Sequence, residues 1–473
     1  MRLSEMRPFT FAAQLLAAVS LSACTLGPHY ERPALLVAQT WPVGQAPSST
    51  PTASAGELGW RTVFLDPRLQ GVIDLALKEN RDLRVAVLNI EKARAQYRVQ
   101  RAELLPSISA SGGETRSHTP ALVSQTGRAV DAEQYSATVG FTAYELDLFG
   151  RVRSLNQVAL QSYLATEETR RASQISLVAE VASDYLTLAA DQELLRIAQD
   201  TLATREESLR LSQKRFEAGA TSQLDLSQAQ TLTEQARADV AATTAQAGRD
   251  RNALRLVVGA EIPADLLPQS VLNAIAIQAD LPAGLPSMVL TGRPDVLAAE
   301  HALEAQNANI GAARAAFLPR ISLTGSTGAA SPDLGSLFNA GTGSWSFTPQ
   351  ISLPIFSGGA NLANLGVAKA NRDITVAQYE KAVQTGFREV ADGLETQATI
   401  RDRVAAQDRL VAAAANSQRL AQARYDKGVD SYLTLLDAQR TLYGARQTQL
   451  AAKLAELNNR VTLYKALGGG VWP

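Results

Sequence analysis

Cysteine, histidine and aromatic residues are scarce in this sequence of 473 residues. The single cysteine excludes a disulfide framework and any metal cluster held by several cysteines. The three histidines, His29, His118 and His301, lie far apart in the sequence and show no metal-ligand spacing. Aromatic residues make up only 5% of the chain, whereas long tracts are rich in Ala, Leu, Gln and Arg.

An excess of charge of one sign is lacking too. The chain has 45 Lys and Arg against 46 Asp and Glu, so no basic surface for nucleic acid is indicated. Beyond the N-terminus no apolar run approaches the length of a membrane-spanning helix, which argues against a multispan helical membrane protein. There is no Gly-rich nucleotide-binding turn and no nucleophile–base pattern. An enzyme is therefore the weakest interpretation, and no cofactor is expected.

The N-terminus has the pattern of a secretory signal. Arg2 and Arg7 precede an apolar stretch from Phe9 to Leu21, and small residues follow it. The run 21–24 resembles the lipobox of bacterial lipoproteins, which implies that Cys24 is acylated after cleavage. We therefore expect a signal peptide over 1–23 and a lipid-anchored arm over 24–65. An incidental cysteine behind an ordinary signal peptide is the alternative.

The chain contains a tandem duplication with a period near 210 residues, far longer than solenoid repeats. Residues 82–109 align without gaps with 295–322, and a second block, 215–230, aligns with 424–439. We expect a first repeat over 66–258, a linker or equatorial segment over 259–291 and a second repeat over 292–473. The second repeat is expected to end in an equatorial tail.

Each repeat shows the same order of elements. A helix comes first, running from Asp66 to about Leu104 in the first half, and Pro106 and Pro319 stop the two helices. Alternating patterns then predict β-hairpins over about 106–147 and 319–356. Residues repeated every seven positions predict long helical hairpins, and a helix over 152–215 would measure roughly 95 Å. The heptad series are Val181, Leu188, Leu195, Leu202, Leu209 and Phe216, and Leu436, Tyr443, Leu450, Leu457 and Tyr464.

Four strands are too few to close a membrane barrel, for which about eight is the usual minimum. An open sheet edge in lipid leaves backbone groups unpaired. If the strands cross a membrane, several copies of the chain must share one barrel. The residues alone do not fix the number of copies, and ordinary half-buried hairpins and a spectrin-like rod remain open at this point.

Several motifs resemble those of the TolC-like outer-membrane factors, in the lipoprotein subfamily that serves RND-type efflux pumps. They cover nearly the whole mature chain in order: Tyr144–Arg151, Gly292–Glu300, Ala312–Pro319, Leu435–Arg440 and Ala466–Gly470. The resemblance implies a homotrimer with a 12-stranded outer-membrane β-barrel, four strands per chain. It further implies an α-helical coiled-coil barrel in the periplasm and a mixed equatorial belt.

The resemblance also assigns a structural position to the repeated Arg-x-x-x-Gly-x-x-Ser blocks. Gly219 and Gly428 each permit a turn between long helices. By resemblance, these turns are the periplasmic tips that bind the adaptor protein. The expected docking residues are Arg215, Gly219, Ser222, Arg424, Gly428 and Ser431. The first block has Asp225 where the second has Thr434, so the two tips differ.

Asp426 and Asp430 in the second block are candidates for a periplasmic gate, because an acidic ring can constrict a pore and favour cations. Solvated turn carboxylates are the alternative. The function expected is a passive exit duct for small molecules such as drugs, delivered by an inner-membrane pump. A type I protein secretion duct and a structural coiled-coil lipoprotein are the other hypotheses.

The first prediction concerns the lipid anchor. In cells fed labelled palmitate, the wild-type protein should carry the label and Cys24→Ser should not, because Cys24 is the only thiol in the chain. Retention of label by Cys24→Ser would contradict the anchor.

Overall fold

A computed structural model describes residues 25–38, 41, 59–269, 272, 275–278 and 287–469. The predicted signal peptide and Cys24 lie outside the described residues. The helices are α1 (Trp60–Val63), α2 (Pro67–Glu79), α3 (Arg81–Ala102), α4 (Arg151–Glu217), α5 (Gln223–Val258), α6 (Pro294–Ala315), α7 (Ala360–Asp426) and α8 (Tyr432–Ala466). The strands are β1 (Ile108–Thr119), β2 (Val130–Glu145), β3 (Arg320–Ser331) and β4 (Gly343–Ser352). The prediction of a mainly helical chain with four strands is confirmed.

The described residues form two compact units. The strand unit comprises residues 25–33, 89–167 and 298–379, and it contains all four strands. The helical unit comprises the described residues of 34–88, 168–297 and 380–469. Both units draw on both halves of the duplicated sequence.

The first helix differs from the expectation. The single helix expected from Asp66 to about Leu104 is two helices, α2 and α3, separated at Asn80. Asn80 has an extended backbone, its side-chain oxygen accepts a hydrogen bond from the Leu83 N–H at 2.7 Å, and its amide donates to the Val257 carbonyl at 2.6 Å. An asparagine that caps a new helix and binds another segment ends the first helix without proline.

The long helices match in length between the halves. Helices α4 and α7 have 67 residues each, and α5 and α8 have 36 and 35. No proline interrupts any of them, so their backbone ladders are continuous. Each of the two 67-residue helices, α4 and α7, is followed by a glycine in the left-handed region, Gly219 and Gly428, both with φ of 70°. The chain can therefore turn back at these positions without a steric cost.

The helical unit has a buried core around α1 and α2. Trp60, Phe64, Leu69 and Ile73 are almost completely buried. Phe64 forms a β-bridge with Ile277, and its ring meets that of Tyr464 edge-on at 5.2 Å. The segment before residue 67 therefore contacts both the 259–291 linker and the C-terminal helix α8.

The strand unit contains one antiparallel sheet in the order β1-β2-β3-β4. β1 and β2 form the first hairpin and β3 and β4 the second. β2 pairs with β3, so the hairpins of the two sequence halves join into a single sheet.

Close packing of β2 on β3 depends on glycine. A Cβ atom added at Gly328 would lie 2.0 Å from the Ala137 carbonyl oxygen, which is backbone and cannot rotate away. Gly328→Val should therefore disrupt the β2–β3 pairing, at a cost of about 1–3 kcal/mol. The measurement is the amount of folded protein in the outer membrane and its midpoint of denaturation.

Gly113→Ala is the control for this change, because Gly113 lies in the same sheet with nothing within 4 Å of an added Cβ. Equal losses for both variants would contradict the close approach.

Candidate functional site

One face of the sheet is apolar over the part next to the helices, and farther along β1 and β2 the same face carries charged pairs such as Arg116 and Glu133. The register aligns Ile108 with Phe141 and Ala110 with Val139, and the same face continues across β3 to Trp345 and Phe347 on β4. Ile108, Val139, Trp345 and Phe347 are exposed, and Trp345 is 81% exposed. Apolar side chains exposed on β1, β2 and β4 on one face are the pattern of strands that contact lipid.

The opposite face is small and polar. It carries Ser, Thr and Gly, and hydroxyl pairs cross between neighbouring strands. Ser111 and Thr138 are 3.0 Å apart, and Ser326 and Ser346 are 2.9 Å apart. Such a face suits water rather than lipid. The sheet therefore has the two-sided chemistry of a barrel wall.

A β-bulge extends the apolar face at one end of the sheet. The β2–β3 register shifts between Phe141 and Tyr144, and Ala143 has a positive φ of 52°. After the shift Tyr144 pairs with Leu323, so Tyr144 joins the face that Phe141 occupies. Strict alternation would have placed Tyr144 on the polar face. The sequence carried no signal for this bulge, since alanine does not favour a positive φ.

The two outer strands are paired on one side only. In the order β1-β2-β3-β4, both β1 and β4 lack a second neighbour among the described residues. Each therefore presents a row of backbone donors and acceptors along its free edge.

The first helical tip lies between α4 and α5. The Gly219 N–H donates to the Phe216 carbonyl at 2.9 Å and the Ala220 N–H to the Arg215 carbonyl at 2.7 Å, which closes the end of α4. Ser222 then caps α5, as its side chain accepts from the Asp225 N–H at 3.1 Å. The Asp225 carboxylate accepts in return from the Ser222 N–H and hydroxyl. These bonds lower the pKa of Asp225.

The second tip repeats the turn but not the cap. Gly428 and Val429 donate to the Tyr425 and Arg424 carbonyls, both at 2.9 Å, as in the first tip. Ser431 stands at the N-cap of α8 without a side-chain capping bond, and Thr434 stands where the first tip has Asp225. The repeated Arg, Gly and Ser therefore share backbone roles, while their side chains differ in partners.

The two repeated arginines have different partners. Arg424 donates twice to the Asp430 carboxylate, at 2.6 and 2.8 Å, and this pair lowers the pKa of Asp430. Arg215 has no such carboxylate in its own turn, where Thr221 occupies the position of Asp430. Its guanidinium lies over the Tyr425 ring at 4.5 Å from the centroid. The first tip thus contacts the second directly.

The two tips also share a small apolar core. Tyr432, Leu435 and Leu436 of α8 pack there with Ala229 and Ala421. Leu224 and Leu433 occupy equivalent positions of the two repeats and are 66% and 62% exposed. These leucines were not among the expected docking residues, although the alignment of the two blocks contains them.

The gate candidates lie at the second tip. Asp426 is the last residue of α7 and accepts a hydrogen bond from Gln422 at 2.9 Å, and Asp430 is held by Arg424. Both carboxylates are thus bound within their own tip.

The N-terminal arm, residues 25–33, lies along α6 in the strand unit. The Leu26 carbonyl accepts from Arg314 at 2.9 Å, and the Pro28 carbonyl accepts from Asn307 at 2.8 Å. Arg32 binds the buried Glu300 carboxylate through two bonds, at 2.6 and 2.8 Å. The arm therefore runs antiparallel to α6. Its first described residues lie at the end of α6 that leads into β3.

Among the described helices, none combines the length and the apolar character needed to cross a membrane. Within the described ranges no group of three or more His, Cys, Asp or Glu side chains is suited to a metal ion.

The fold and the two-faced sheet are those of an outer-membrane efflux channel. The model of the outer membrane efflux protein family matches residues 72–260 and 285–469, one range in each half of the duplication. The chain belongs to this family, whose members are efflux channels of the outer membrane. The resemblance seen in the sequence motifs is confirmed, and so are the outer membrane as location and efflux as function.

Individual relatives are similar along nearly their whole length. The toluene efflux pump outer membrane protein TtgC of Pseudomonas putida is 50% identical over 457 residues, covering 96% of this chain and 94% of that protein. The outer membrane protein OprJ of Pseudomonas aeruginosa is 43% identical over 472 residues, covering 98% and 96%. The open state of the MtrE outer membrane channel of Neisseria gonorrhoeae is 41% identical with a TM-score of 0.85, covering 94% of this chain and 98% of that chain.

The unequal caps of the two tips lead to a prediction. Asp225→Ala removes one half of a reciprocal cap and should destabilise the start of α5 by about 1 kcal/mol. Amide hydrogen exchange in a peptide spanning residues 222–226 should then be about fivefold faster. Thr434→Ala at the equivalent position should change the start of α8 little, because no capping box exists there. Equal effects at both tips would contradict this difference.

Proposed function

We propose that this protein is the exit duct of a tripartite efflux pump, in which three copies close one outer-membrane barrel. The observation that carries the proposal is the sheet, which has one largely apolar face, one polar face and, among the described residues, no partner for the outer edges of β1 and β4. Four strands cannot close, and unpaired edges are not tolerated in lipid. Three copies joined β1 to β4 would give 12 strands with every edge paired.

The duct would conduct solutes without a catalytic step. The long helices of each copy would continue the barrel as a periplasmic tunnel. An RND-type inner-membrane pump would supply the driving force, and a periplasmic adaptor would connect pump and duct. The relative TtgC is described as part of a toluene efflux pump, which supports small, toxic molecules as the transported class.

The two tips are the proposed adaptor-docking surface. The residues proposed to bind the adaptor are Arg215, Gly219, Ser222, Arg424, Gly428 and Ser431. Three observations support this surface: both turns have one backbone geometry, exposed leucines stand at equivalent positions, and the tips are joined through Arg215 and Tyr425. Two similar but unequal tips per chain would offer six docking positions around a trimer.

The second tip is also the proposed gate. Asp426 and Asp430 would form an acidic constriction when three copies meet around an axis. Because Asp430 is held by Arg424, its negative charge is largely balanced within the tip. Opening would then involve the loss or rearrangement of that ion pair.

Cys24 is the proposed site of the lipid anchor. The arm supports this assignment, because its antiparallel course along α6 brings residue 25 toward the end of the helix from which β3 starts. If β3 enters the outer membrane, a lipid on the preceding residue would lie close to the bilayer surface.

Drug susceptibility of a deletion strain tests the function. Loss of the gene should lower the inhibitory concentration of several small toxic compounds severalfold, and the wild-type gene should restore it. A type I secretion duct would instead lose an exported polypeptide with drug resistance unchanged. A structural lipoprotein would change neither.

The same strain tests the tips. Gly219→Glu and Gly428→Glu place a charge and a side chain where φ is positive, and we expect both to abolish resistance and cross-linking to the adaptor. Gly248→Glu is the matched control, since Gly248 lies within α5 with open space around it. Gly428→Asn, which tolerates the left-handed backbone, should keep the fold of the turn. Full resistance and cross-linking in both glutamate variants would contradict the docking assignment.

A further inference from the structure

A cavity in the helical unit lies away from the turns of the two tips and plays no part in the functions argued above. It has a volume of about 140 Å³ and is formed by α4, α7 and α8. Its polar lining includes Thr201, Arg205, Gln418, Gln439, Tyr443 and Arg446.

Arg205 is a buried cation that has no counterion among the described residues. Only 6% of the residue is exposed, and its guanidinium donates a hydrogen bond to the side-chain oxygen of Gln439. No carboxylate of the described residues forms an ion pair with it. Asp200 also lines the cavity, but its carboxylate binds Arg196 at 2.9 Å. Burial lowers the pKa of Arg205, yet an arginine remains charged in proteins.

Gln439 supplies an unused donor. It is 7% exposed, and its Nε2 is buried with no hydrogen-bond partner among the described residues. The orientation of the amide is determined by Arg205, because a guanidinium can only donate and must therefore face the amide oxygen. The amide N–H groups are left to find an acceptor elsewhere.

This pair of donors is not a product of the repeat. The position equivalent to Gln439 in the first half is Gln230, which is exposed, and the position equivalent to Arg205 in the second half is Ala414. The fold therefore does not require a buried arginine and glutamine here. The pair of Arg205 and Gln439 therefore lines one such cavity in each chain.

We propose that this cavity binds a carboxylate group through Arg205 and Gln439. A carboxylate has two coplanar oxygens that match the fork of a guanidinium, and it would also accept from the Gln439 amide. Arg446, which is half-buried and has no ion pair with a described residue, adds a second positive charge to the lining. The volume accommodates a group about the size of acetate.

The carboxylate could come from a free solute or from an acidic side chain of a second copy of the chain. The test uses the purified full-length protein, with sodium acetate compared with sodium chloride at equal ionic strength and neutral pH. For a free solute, acetate should raise the Tm of the wild type saturably by about 2 °C. Gln439→Leu should remove this rise, and Gln230→Leu, at the exposed equivalent position, should keep it.

A high-resolution structure of the assembled protein distinguishes the two sources. If a second copy supplies the group, acetate leaves the wild-type Tm unchanged, and a side-chain carboxylate of the neighbouring copy lies against Arg205. Either source supports the proposal. An acetate effect that persists in Gln439→Leu would overturn it. A cavity holding only water or chloride, together with an acetate-insensitive Tm, would overturn it as well.

Discussion

In a lipid bilayer, every backbone N–H and C=O group needs a partner within the protein, and this requirement governs the rest of the molecule. β2 and β3 satisfy it within one chain by pairing the two hairpins. β1 and β4 do not, so the chain is incomplete in the membrane without further copies. The separation of apolar and polar side chains onto opposite faces follows from the same requirement, since a closed wall has lipid on one side and water on the other.

After the duplication, the two halves share one backbone conformation at their turns but differ in the contacts of their side chains. Both turns end a long helix with the same pair of backbone hydrogen bonds, which need only glycine in the left-handed conformation. Because the backbone closes the turns, the other side chains of the two tips could diverge. One arginine binds a carboxylate and the other lies on a tyrosine ring. A partner that meets both turns would meet the same shape with different charges.

Much of this architecture could be predicted from the sequence, because periodicity, proline and glycine act locally. The glycine turns, the strands and the long helices are of this kind. The break at Asn80 could not be predicted, since it depends on a bond to Val257, far along the chain. The bulge at Ala143 and the cation–π contact of Arg215 likewise depend on partners from other elements. The buried Arg205 was missed because an arginine in a helical pattern is usually solvated.

The arm along α6 also bears on the order of assembly. Arg32 and its partner Glu300 are 268 residues apart, so the arm finds its binding surface only after more than half of the chain has been made. Contacts between such distant residues form late, because a long loop must first be closed. The docked arm therefore distinguishes a chain whose second half has folded from one that is only partly folded. If the chain is anchored through Cys24, the arm next to the anchor would dock on α6 only after the second half of the chain has folded.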